Sequence, residues 1–589
     1  MKLKCKHLKK IPYIASLAFL VGCSNVPEPK SFISEADKYA YVKEYMRWYI
    51  KEQMNDNEIM GLSVALVDDQ KIVWSEGFGY ADKAKGIKAT PQTRYRAGSI
   101  TKLFTAMATM KLVEEGKMNI DKPLKKYLPG FSIKSRFGST NGITPRTIMT
   151  HHSGLPGDWL DRMFATDPLL YTEYVNLIHN EYVAYKPNTI LSYSNLAMTL
   201  LGDSIEKVSG IKYANYIYKS LLEPMRMYNA DLKMALHGNN ASKSYKEGKE
   251  VPEYAIGEIP AGALNISVNE LSHLAMMINA NGIYDGKRIL KASTLQKMFT
   301  VQNKHVALDV GQEIGLGFFI DNEILGKEDT AYHHGGNTVA QNAYFIVSSH
   351  SKLAVIVMAN TAGIDATEVA QKLLEKAWVA KTGNKIQKKK LVISHDSDFE
   401  GIYATVLGKV KIKKESKESY TAYTDNGTFK LYKTKNNTYK IKYKLLGLFS
   451  ISNTMLEKVE LNTEDIEGRH VIVASMQGNT FIGGLKVNKP THVPEVWKSY
   501  FGHYNVLNNF ELKEWQIKDV ELMMEDGYPV VKTKYMSGEI GTALLKPVND
   551  TEAIIEGIGR SMQETIYVKE GIVHSQGLRF KKVGEKKND

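Results

Sequence analysis

The sequence predicts an α+β domain with one antiparallel sheet built from both of its ends and a helical insert, followed by all-β modules. Near the two ends of the first 380 residues, GLSVALVDDQKIVWSEGFGYA (61–81) and AYFIVSSHSKLAVIVMANT (343–361) predict antiparallel hairpins. Between them, apolar residues recur at spacings of three and four, as in NELSHLAMMINAN (269–281), which predicts helices. Beyond residue 385, the period-two alternation of GKVKIKK and TYKIKYKLLG is typical of half-exposed antiparallel strands.

Changes in residue pattern along the chain divide it into five segments. We expect a signal peptide, a short tether, the α+β domain and two β modules, at 1–22, 23–36, 37–384, 385–495 and 496–589.

A weak repeat supports two β modules rather than one. FEGIY (399–403) and YFGHY (500–504) share Gly-x-Tyr, and each opens a strand-rich stretch of about 100 residues. We expect two barrels or sandwiches. A single irregular β domain with a chance match is the alternative.

The first residues indicate export. A basic stretch, MKLKCKHLKK, precedes the apolar run IPYIASLAFLV, which has the length of a signal-peptide core and is too short to span a bilayer. Leu20-Val21-Gly22-Cys23 resembles a bacterial lipobox, so we expect Cys23 to be lipidated, with a plain secretory signal as the alternative. The only other cysteine is Cys5. The expected product is an exported, periplasm-facing lipoprotein, anchored through its lipid to the outer membrane.

The basic net charge does not indicate a nucleic-acid partner. The chain carries +13, but five lysines lie within the first ten residues, and the remainder is spread through sequence of mixed sign. A nucleic-acid-binding protein would show a basic patch or a recognition motif, and neither is visible.

The stretch RAGSITKLFTAM places Ser99 three residues before Lys102 at the start of a predicted helix. Residues three apart are neighbours on one helical face. The serine would lie at the positive end of the helix dipole, where a developing oxyanion is stabilised. Burial would lower the pKa of the lysine and leave a neutral amine able to accept the serine's proton. Apolar residues are expected to recur on one buried face of this helix: Leu103, Met107 and Met110.

Two further motifs carry polar groups. In LSYSNLAMTLLG, Tyr193 could transfer a proton and Asn195 could hold the lysine and a substrate carbonyl. In HHGGNTVAQNAYFIV, His334 and Gly336 precede a strand, and the two glycines would let the backbone approach a ligand closely. The backbone N–H of Asn337 would form an oxyanion hole together with that of the serine.

In this order, the three motifs resemble those of the penicillin-recognising serine hydrolases of the class C β-lactamase type, over roughly residues 40–380. Connecting phrases such as MTHHSGLP and IPAGALNIS fit as well. The resemblance implies a serine β-lactamase-like fold and an acyl-enzyme on Ser99, with Lys102 and Tyr193 moving protons. The chain departs from the family at Asn188, where glycine is common, and at Val339-Ala340, which replace Pro-Gly.

Neither a metal nor another cofactor is expected. The histidines form adjacent pairs, His151-His152 and His333-His334, and neighbours in sequence rarely converge on one ion. No HExxH or CxxC motif is present. We expect the histidines other than His334 to lie in loops or behind the site.

The third motif bears on the substrate. Class C β-lactamases usually carry lysine where this chain has His334, whereas histidine resembles D,D-carboxypeptidases, D-aminopeptidases and esterases. The β modules also resemble the D-aminopeptidase plan, in which a barrel loop reaches over the cleft, so we expect one module to cap the site.

Three functions stay open at this point. The first is hydrolysis of D-amino-acid peptides, and the second is esterase or β-lactamase activity at the same site. The third is a low-turnover penicillin-binding or ligand-sensing lipoprotein. The expected partners are a small-molecule or peptide substrate and a membrane.

Overall fold

A computed structural model describes residues 27–363, 366–388, 397–445, 449–451, 458–476 and 479–584. Cys23 and the predicted signal peptide lie outside these residues, as does the stretch 389–396 beyond the predicted boundary at 384, so the domain limits stay predictions. None of the helices in the described ranges is long and apolar enough to span a bilayer. The α-helices are Ala40–Asp56, Thr101–Glu114, Pro145–Met149, Tyr174–Leu177, Asn195–Ser209, Tyr213–Ile217, Ile259–Gly262, Val268–Asn279, Ala292–Met298, Ala366–Thr382 and Val496–Tyr500.

The first domain is built on an eight-stranded antiparallel sheet whose central neighbours come from its two ends, as predicted. Strand Gly61–Asp68 pairs with Leu353–Ala359, with Leu62 opposite Ala359. Both predicted hairpins are confirmed. From edge to edge, the strands are Glu313–Ile314, Phe319–Asp321, Ala331–Asn337, Asn342–Ser348, Leu353–Ala359, Gly61–Asp68, Lys71–Asp82 and Ile87–Lys88. Three small two-stranded ribbons complete the domain: Tyr95–Arg96 with Asn265–Ile266, Ser244–Lys246 with Lys249–Val251, and Ile283–Tyr284 with Lys287–Arg288.

Helices cover both faces of this sheet. Strand Gly61–Asp68 is therefore buried along almost its whole length instead of being half exposed. Its alternation separates two cores: Leu62 and Val64 pack with the helices Ala40–Asp56 and Ala366–Thr382, whereas Ala65 points into the helical insert. Alternate residues of a strand face opposite sides, so a central strand can contribute to both cores.

The helix that follows Ser99 is buried all round, which corrects the prediction of a single buried face. Every residue from Thr101 to Met110 is buried, because the helix Thr101–Glu114 runs through the middle of the insert and packs against Asn195–Ser209. A helix enclosed on all sides needs no polar face. Its one charged side chain in this stretch is Lys102.

Two β-barrels follow, as the repeat indicated. The first closes through eight strands, with the short strand Phe449–Ile451 added at one end; the second is a closed eight-stranded barrel. The strands of the first barrel are Gly401–Thr405, Gly408–Ser416, Ser419–Thr424, Gly427–Lys433, Tyr439–Leu445, Phe449–Ile451, Val459–Ile466, Arg469–Met476 and Asn479–Lys486. Those of the second are Gly502–Val506, Ile517–Glu525, Tyr528–Tyr535, Ile540–Pro547, Glu552–Ile555, Thr565–Lys569, Ile572–Ser575 and Leu578–Lys582.

The repeated Gly-x-Tyr marks the closure of each barrel. Tyr403 in the first strand lies opposite Lys486 in the last, and Tyr504 lies opposite Lys582 in the same way. Both tyrosines are buried. The pentapeptides therefore occupy equivalent positions in two copies of one architecture.

Ion pairs join the three units. Lys409 is buried between the barrels and donates to Asp526 at 2.9 Å. Arg136 of the first domain pairs with Glu552 of the second barrel at 2.9 Å.

Gly202 lies inside the helix Asn195–Ser209, where a Cβ would come within 2.1 Å of the Pro260 ring. We expect Gly202→Ala to destabilise the protein by about 1–3 kcal/mol through overpacking, despite the better helix propensity of alanine. The measurement is thermal unfolding followed by circular dichroism. Gly130→Ala is the control, since its Cβ would meet only Val175 at 3.8 Å; equal melting temperatures for the two variants would contradict the prediction.

Candidate active site

Two of the three motifs meet at the side chain of Lys102. Its Nζ lies 2.9 Å from Ser99 Oγ, 2.7 Å from Asn195 Oδ1 and 2.8 Å from the carbonyl oxygen of Ala261. The hydroxyl and the amine are therefore within range of direct proton exchange.

Local structure places Ser99 at the mouth of the helix. It lies in the 3₁₀ turn Gly98–Ile100, which continues directly into Thr101–Glu114. The Thr101 hydroxyl donates to the carbonyl of Gly98 at 2.6 Å and fixes this turn. The partial positive charge of the helix N-terminus thus acts at the serine.

Burial decides the charge of Lys102. The residue is 1% exposed, and the pKa of its amine falls to about 7, first because burial penalises the ammonium form and next because Arg560 carries a positive charge nearby. A neutral amine has two N–H groups and one lone pair. Asn195 Oδ1 and the Ala261 carbonyl can only accept, so they take the two donors and leave the lone pair for the Ser99 hydroxyl proton.

Tyr193 completes the proton-handling groups. Lys102 Nζ lies 4.9 Å from the centre of its ring, and the Ser99 hydroxyl is close enough to interact with the phenol. Burial raises the pKa of Tyr193 above its usual range, an effect that the Ser99 contact opposes. The phenol is therefore protonated at neutral pH. It can relay a proton during the reaction, but it is not a phenolate before the reaction begins.

Asn195 is held from both sides. It is the first residue of the helix Asn195–Ser209, whose N-cap Ser194 accepts the Ala197 N–H at 2.9 Å. Its Nδ2 donates to Asp158 Oδ1 at 2.8 Å, which fixes Oδ1 toward Lys102.

The third motif lies against the serine turn. A Cβ on Gly336 would come within 1.9 Å of the Ala97 carbonyl oxygen, and one on Gly98 within 2.9 Å of Asn337 N. The close approach that we expected toward a ligand at Gly336 is therefore an approach to the protein's own backbone. Asn337 N thereby reaches the vicinity of Ser99.

The surroundings of His334 fix which of its ring nitrogens carries the proton. Burial lowers its pKa to about 3, so the ring is neutral, and its Nδ1 lies 2.6 Å from the Gly335 carbonyl oxygen. A carbonyl only accepts, so the single N–H is on Nδ1 and Nε2 is an acceptor.

The other histidines lie behind the site. The ring of His151 packs on Tyr193 at 4.1 Å, and its Nδ1 accepts the Ser194 N–H. His152 pairs with Asp309 at 2.8 Å, and His333 with the Tyr344 hydroxyl at 2.9 Å. Across the residues that the structure describes, no three His, Cys, Asp or Glu side chains are grouped so as to hold a metal.

The departure at Asn188 has a conformational reason. Its φ is +64°, in the left-handed region that favours glycine, and asparagine tolerates this region better than other residues with a Cβ. The loop can therefore keep a glycine-like backbone.

The second barrel supplies residues that the sequence analysis missed. Arg560 lies on the loop between Glu552–Ile555 and Thr565–Lys569. Its Nε and Nη2 donate to Asp158 at 2.9 Å and 2.6 Å. Its guanidinium lies 5.3 Å from the centre of the Tyr193 ring. Glu564 accepts the Gly157 N–H at 2.9 Å. The expected cap is thus this loop. The only signal in the sequence is a single arginine in the glycine-containing stretch EGIGRSMQE.

A cavity of about 60 Å³ adjoins Ser99 and Asn195, with Glu258, Phe164 and Thr338 among its walls. A larger one, of about 640 Å³, lies within the second barrel and beside the first, away from Ser99. The small cavity is the one that bears on the chemistry.

A poised hydroxyl, a neutral amine and a phenol beside backbone N–H groups can carry out acyl transfer through a covalent serine intermediate. The family model of β-lactamases matches residues 46–377, more than half of the chain. The chain belongs to the β-lactamase family.

Curated relatives match this chain over only part of their length. Protein flp of Staphylococcus aureus (strain N315) is 26% identical over 322 residues, which cover 53% of this chain and 61% of that protein. Putative beta-lactamase-like 1 of Homo sapiens is 25% identical over 275 residues, 44% of this chain and 54% of that protein. The chain thus spans about three fifths of the flp relatives.

Solved structures show the same fold beyond the family match. The octameric penicillin-binding protein homologue from Pyrococcus abyssi has a TM-score of 0.53 at 24% identity, covering 74% of this chain and 99% of its own. SurE has a TM-score of 0.56 at 17% identity, covering 77% and 100%. A second SurE structure, with D-Leu, has a TM-score of 0.54 at 16% identity, covering 76% and 99%.

We expect Arg560→Gln to raise the pH below which the acylation rate of Ser99 falls. The substitution removes a positive charge that lowers the pKa of Lys102 and leaves Asp158 without its cationic partner. The unchanged protein should acylate more slowly as pH falls through about 7. In the variant, the rate at pH 6 should fall by up to a further ~10-fold, because the neutral fraction drops tenfold for each pH unit below the pKa.

The measurement is the rate of labelling by a fluorescent penicillin between pH 5 and 9. Arg136→Gln is the matched control, since it also removes an ion pair between the first domain and the second barrel but one that does not act on Lys102. Identical pH profiles for Arg560→Gln and the unchanged protein would show that the charge of Arg560 does not lower the pKa of Lys102.

Proposed function

We propose that this protein is a lipid-anchored serine hydrolase that cleaves D-amino-acid-containing peptides through an acyl-enzyme on Ser99. The observation that carries the proposal is the buried amine of Lys102, which lies 2.9 Å from the Ser99 hydroxyl, is held by two acceptors and has its pKa lowered to about 7. An amine in that state can take the hydroxyl proton at the moment of attack.

The proposed reaction has two halves. Ser99 Oγ bonds to the substrate carbonyl carbon while its proton passes to Lys102, directly or through Tyr193, and the N–H groups of Ser99 and Asn337 stabilise the oxyanion. Loss of one such donor costs about 3 kcal/mol of barrier. The proton then passes to the leaving nitrogen as the C–N bond breaks. In the second half, water attacks the acyl carbon and gives its proton to Lys102, directly or through Tyr193. The bond between the acyl carbon and Ser99 Oγ then breaks, and the proton returns to Oγ.

A D-amino-acid substrate is supported by the resemblance at the third motif, where His334 stands in place of the lysine usual in class C β-lactamases. The structure of SurE with D-Leu makes D-amino-acid derivatives the first compounds to test. An esterase or β-lactamase using the same groups is the second candidate, because the same Ser99, Lys102 and Tyr193 geometry serves any reactive acyl group.

Ser99→Ala should abolish covalent labelling by a fluorescent penicillin and reduce ester and peptide hydrolysis by at least about 10³-fold. Ser209→Ala is the control, because Ser209 also precedes a lysine by three residues but lies at the end of a helix, hydrogen-bonded to the Ile211 carbonyl. Labelling that persists in Ser99→Ala would overturn the site.

The unchanged protein separates the candidate functions. Release of D-alanine from D-Ala-D-Ala peptides, or of an N-terminal D-residue, supports the peptidase. Fast turnover of penicillin or of simple esters with intact D-peptides supports the second candidate. A stable adduct without any turnover would support the third, low-turnover function.

The lipid anchor rests on the sequence around Cys23. Expression of the full gene in a bacterium with two membranes should place the protein in the membrane fraction, and Cys23→Ser should release it or leave it unprocessed. Equal incorporation of labelled fatty acid into both forms, measured after immunoprecipitation, would exclude lipidation at Cys23.

A further inference from the structure

In the catalytic cavity, one carboxyl oxygen of Glu258 is buried and accepts no hydrogen bond from the residues that the structure describes. Glu258 is 8% exposed and lines the cavity together with Ser99 and Asn195. It directly precedes the turn Ile259–Gly262, whose Ala261 carbonyl holds Lys102. Its Oε1 is buried, and no described residue donates to it.

The neighbouring carboxylates are satisfied. Asp158 receives donors from Asn195 and from both Nε and Nη2 of Arg560, and Glu564 receives the Gly157 N–H. Glu258 has no equivalent. A buried carboxyl without a donor is costly, and one that persists beside a reacting group indicates a missing ligand group.

The electrostatics of Glu258 favour a cationic ligand. Burial raises the pKa of its carboxyl to about 8, and the negative charge of Asp158 adds to the effect, whereas Lys102 and Arg560 oppose it. A cation arriving in the cavity would offset the cost of the anion and bind as a charge-assisted hydrogen-bond donor.

The remaining walls leave few other roles for a charged substrate group. Phe164 and Ile256 are apolar, and Tyr174 adds one uncharged hydroxyl. The cationic side chain of Arg162 is paired with Asp167, and Arg560 is paired with Asp158. A substrate carboxylate in this cavity would therefore meet an unpaired carboxyl and no free cation among the described side chains that line it.

We infer that Glu258 binds an ammonium group on the acyl part of the substrate, so that the enzyme removes a small amino-terminal residue from a peptide or amide. This inference rests on the proposed function. In an N-terminal residue, the ammonium group is borne by the carbon next to the scissile carbonyl. A carboxyl acceptor in the same small cavity as the nucleophile matches that short separation, and about 60 Å³ suits a side chain of the size of alanine. The ammonium supplies three donors to a group that has none.

The test compares two substrates that differ only in the amino group: D-alanine p-nitroanilide and propionic acid p-nitroanilide. The unchanged full-length protein should show a kcat/KM at least about 10-fold higher for the first. Glu258→Gln should reduce that ratio about 10-fold or more, mainly through the amine-bearing substrate. The ratio is taken on one preparation, so the fraction of active protein cancels.

Glu181→Gln is the matched control. Glu181 is another buried carboxyl whose pKa burial raises to about 7, but it contacts Tyr567 of the second barrel and does not line the cavity. It should leave the ratio unchanged. An unaltered ratio in Glu258→Gln would overturn the inference. An equal loss on both substrates would overturn it as well, since it would assign the carboxyl to activation of water or to structure.

A second measurement does not require the variant to fold. D-Alaninamide should protect Ser99 of the unchanged protein from a fluorescent penicillin at concentrations about 10-fold lower than propionamide, which lacks the amine. Equal protection by the two amides overturns the inference while leaving the proposed function intact. Failure of Ser99 to react with any penicillin, ester or anilide would instead overturn the proposed function, and the inference with it.

Discussion

An amine enclosed by protein must either find anionic partners or give up its proton, and Lys102 lies in the second situation. Its three contacts are the Ser99 hydroxyl, the Asn195 side-chain oxygen and the Ala261 carbonyl, none of which is an anion. The desolvation cost of an ammonium there is several kcal/mol, so the neutral form is favoured at physiological pH. The reactivity of Ser99 depends on the neutral form of this amine, which can accept the hydroxyl proton.

The groups that keep Lys102 in this state come from distant parts of the chain. The serine helix supplies the lysine, and the helix Asn195–Ser209 and the turn Ile259–Gly262 supply its acceptors. The second barrel adds Arg560, whose charge favours the neutral amine and whose fork on Asp158 fixes Asn195 indirectly. The barrel is therefore part of the catalytic environment and not only a cover over it.

The polarity of the cavity has a consequence for substrate orientation. His334 offers an acceptor nitrogen because its only N–H is bound to the Gly335 carbonyl, and Glu258 offers a carboxyl without a donor. Class C β-lactamases, with a lysine at the third motif, would present a positive charge instead. The buried carboxyl of Glu258 in the cavity wall favours a substrate that brings N–H groups to the site over one that brings a carboxylate.

The sequence by itself determined the local chemistry and the order of the elements. Period-two and helical patterns predicted both hairpins, the helical insert and the paired barrels, and two short motifs predicted that Ser99, Lys102, Tyr193 and Asn195 would meet. These signals are readable because hydrophobic periodicity and residue chemistry are local properties. The full burial of the serine helix, the tautomer of His334, and the arrival of Arg560 and Glu564 from the second barrel were decided only by the tertiary structure. Each depends on which surfaces pack together across up to about four hundred residues, and no local pattern records that packing.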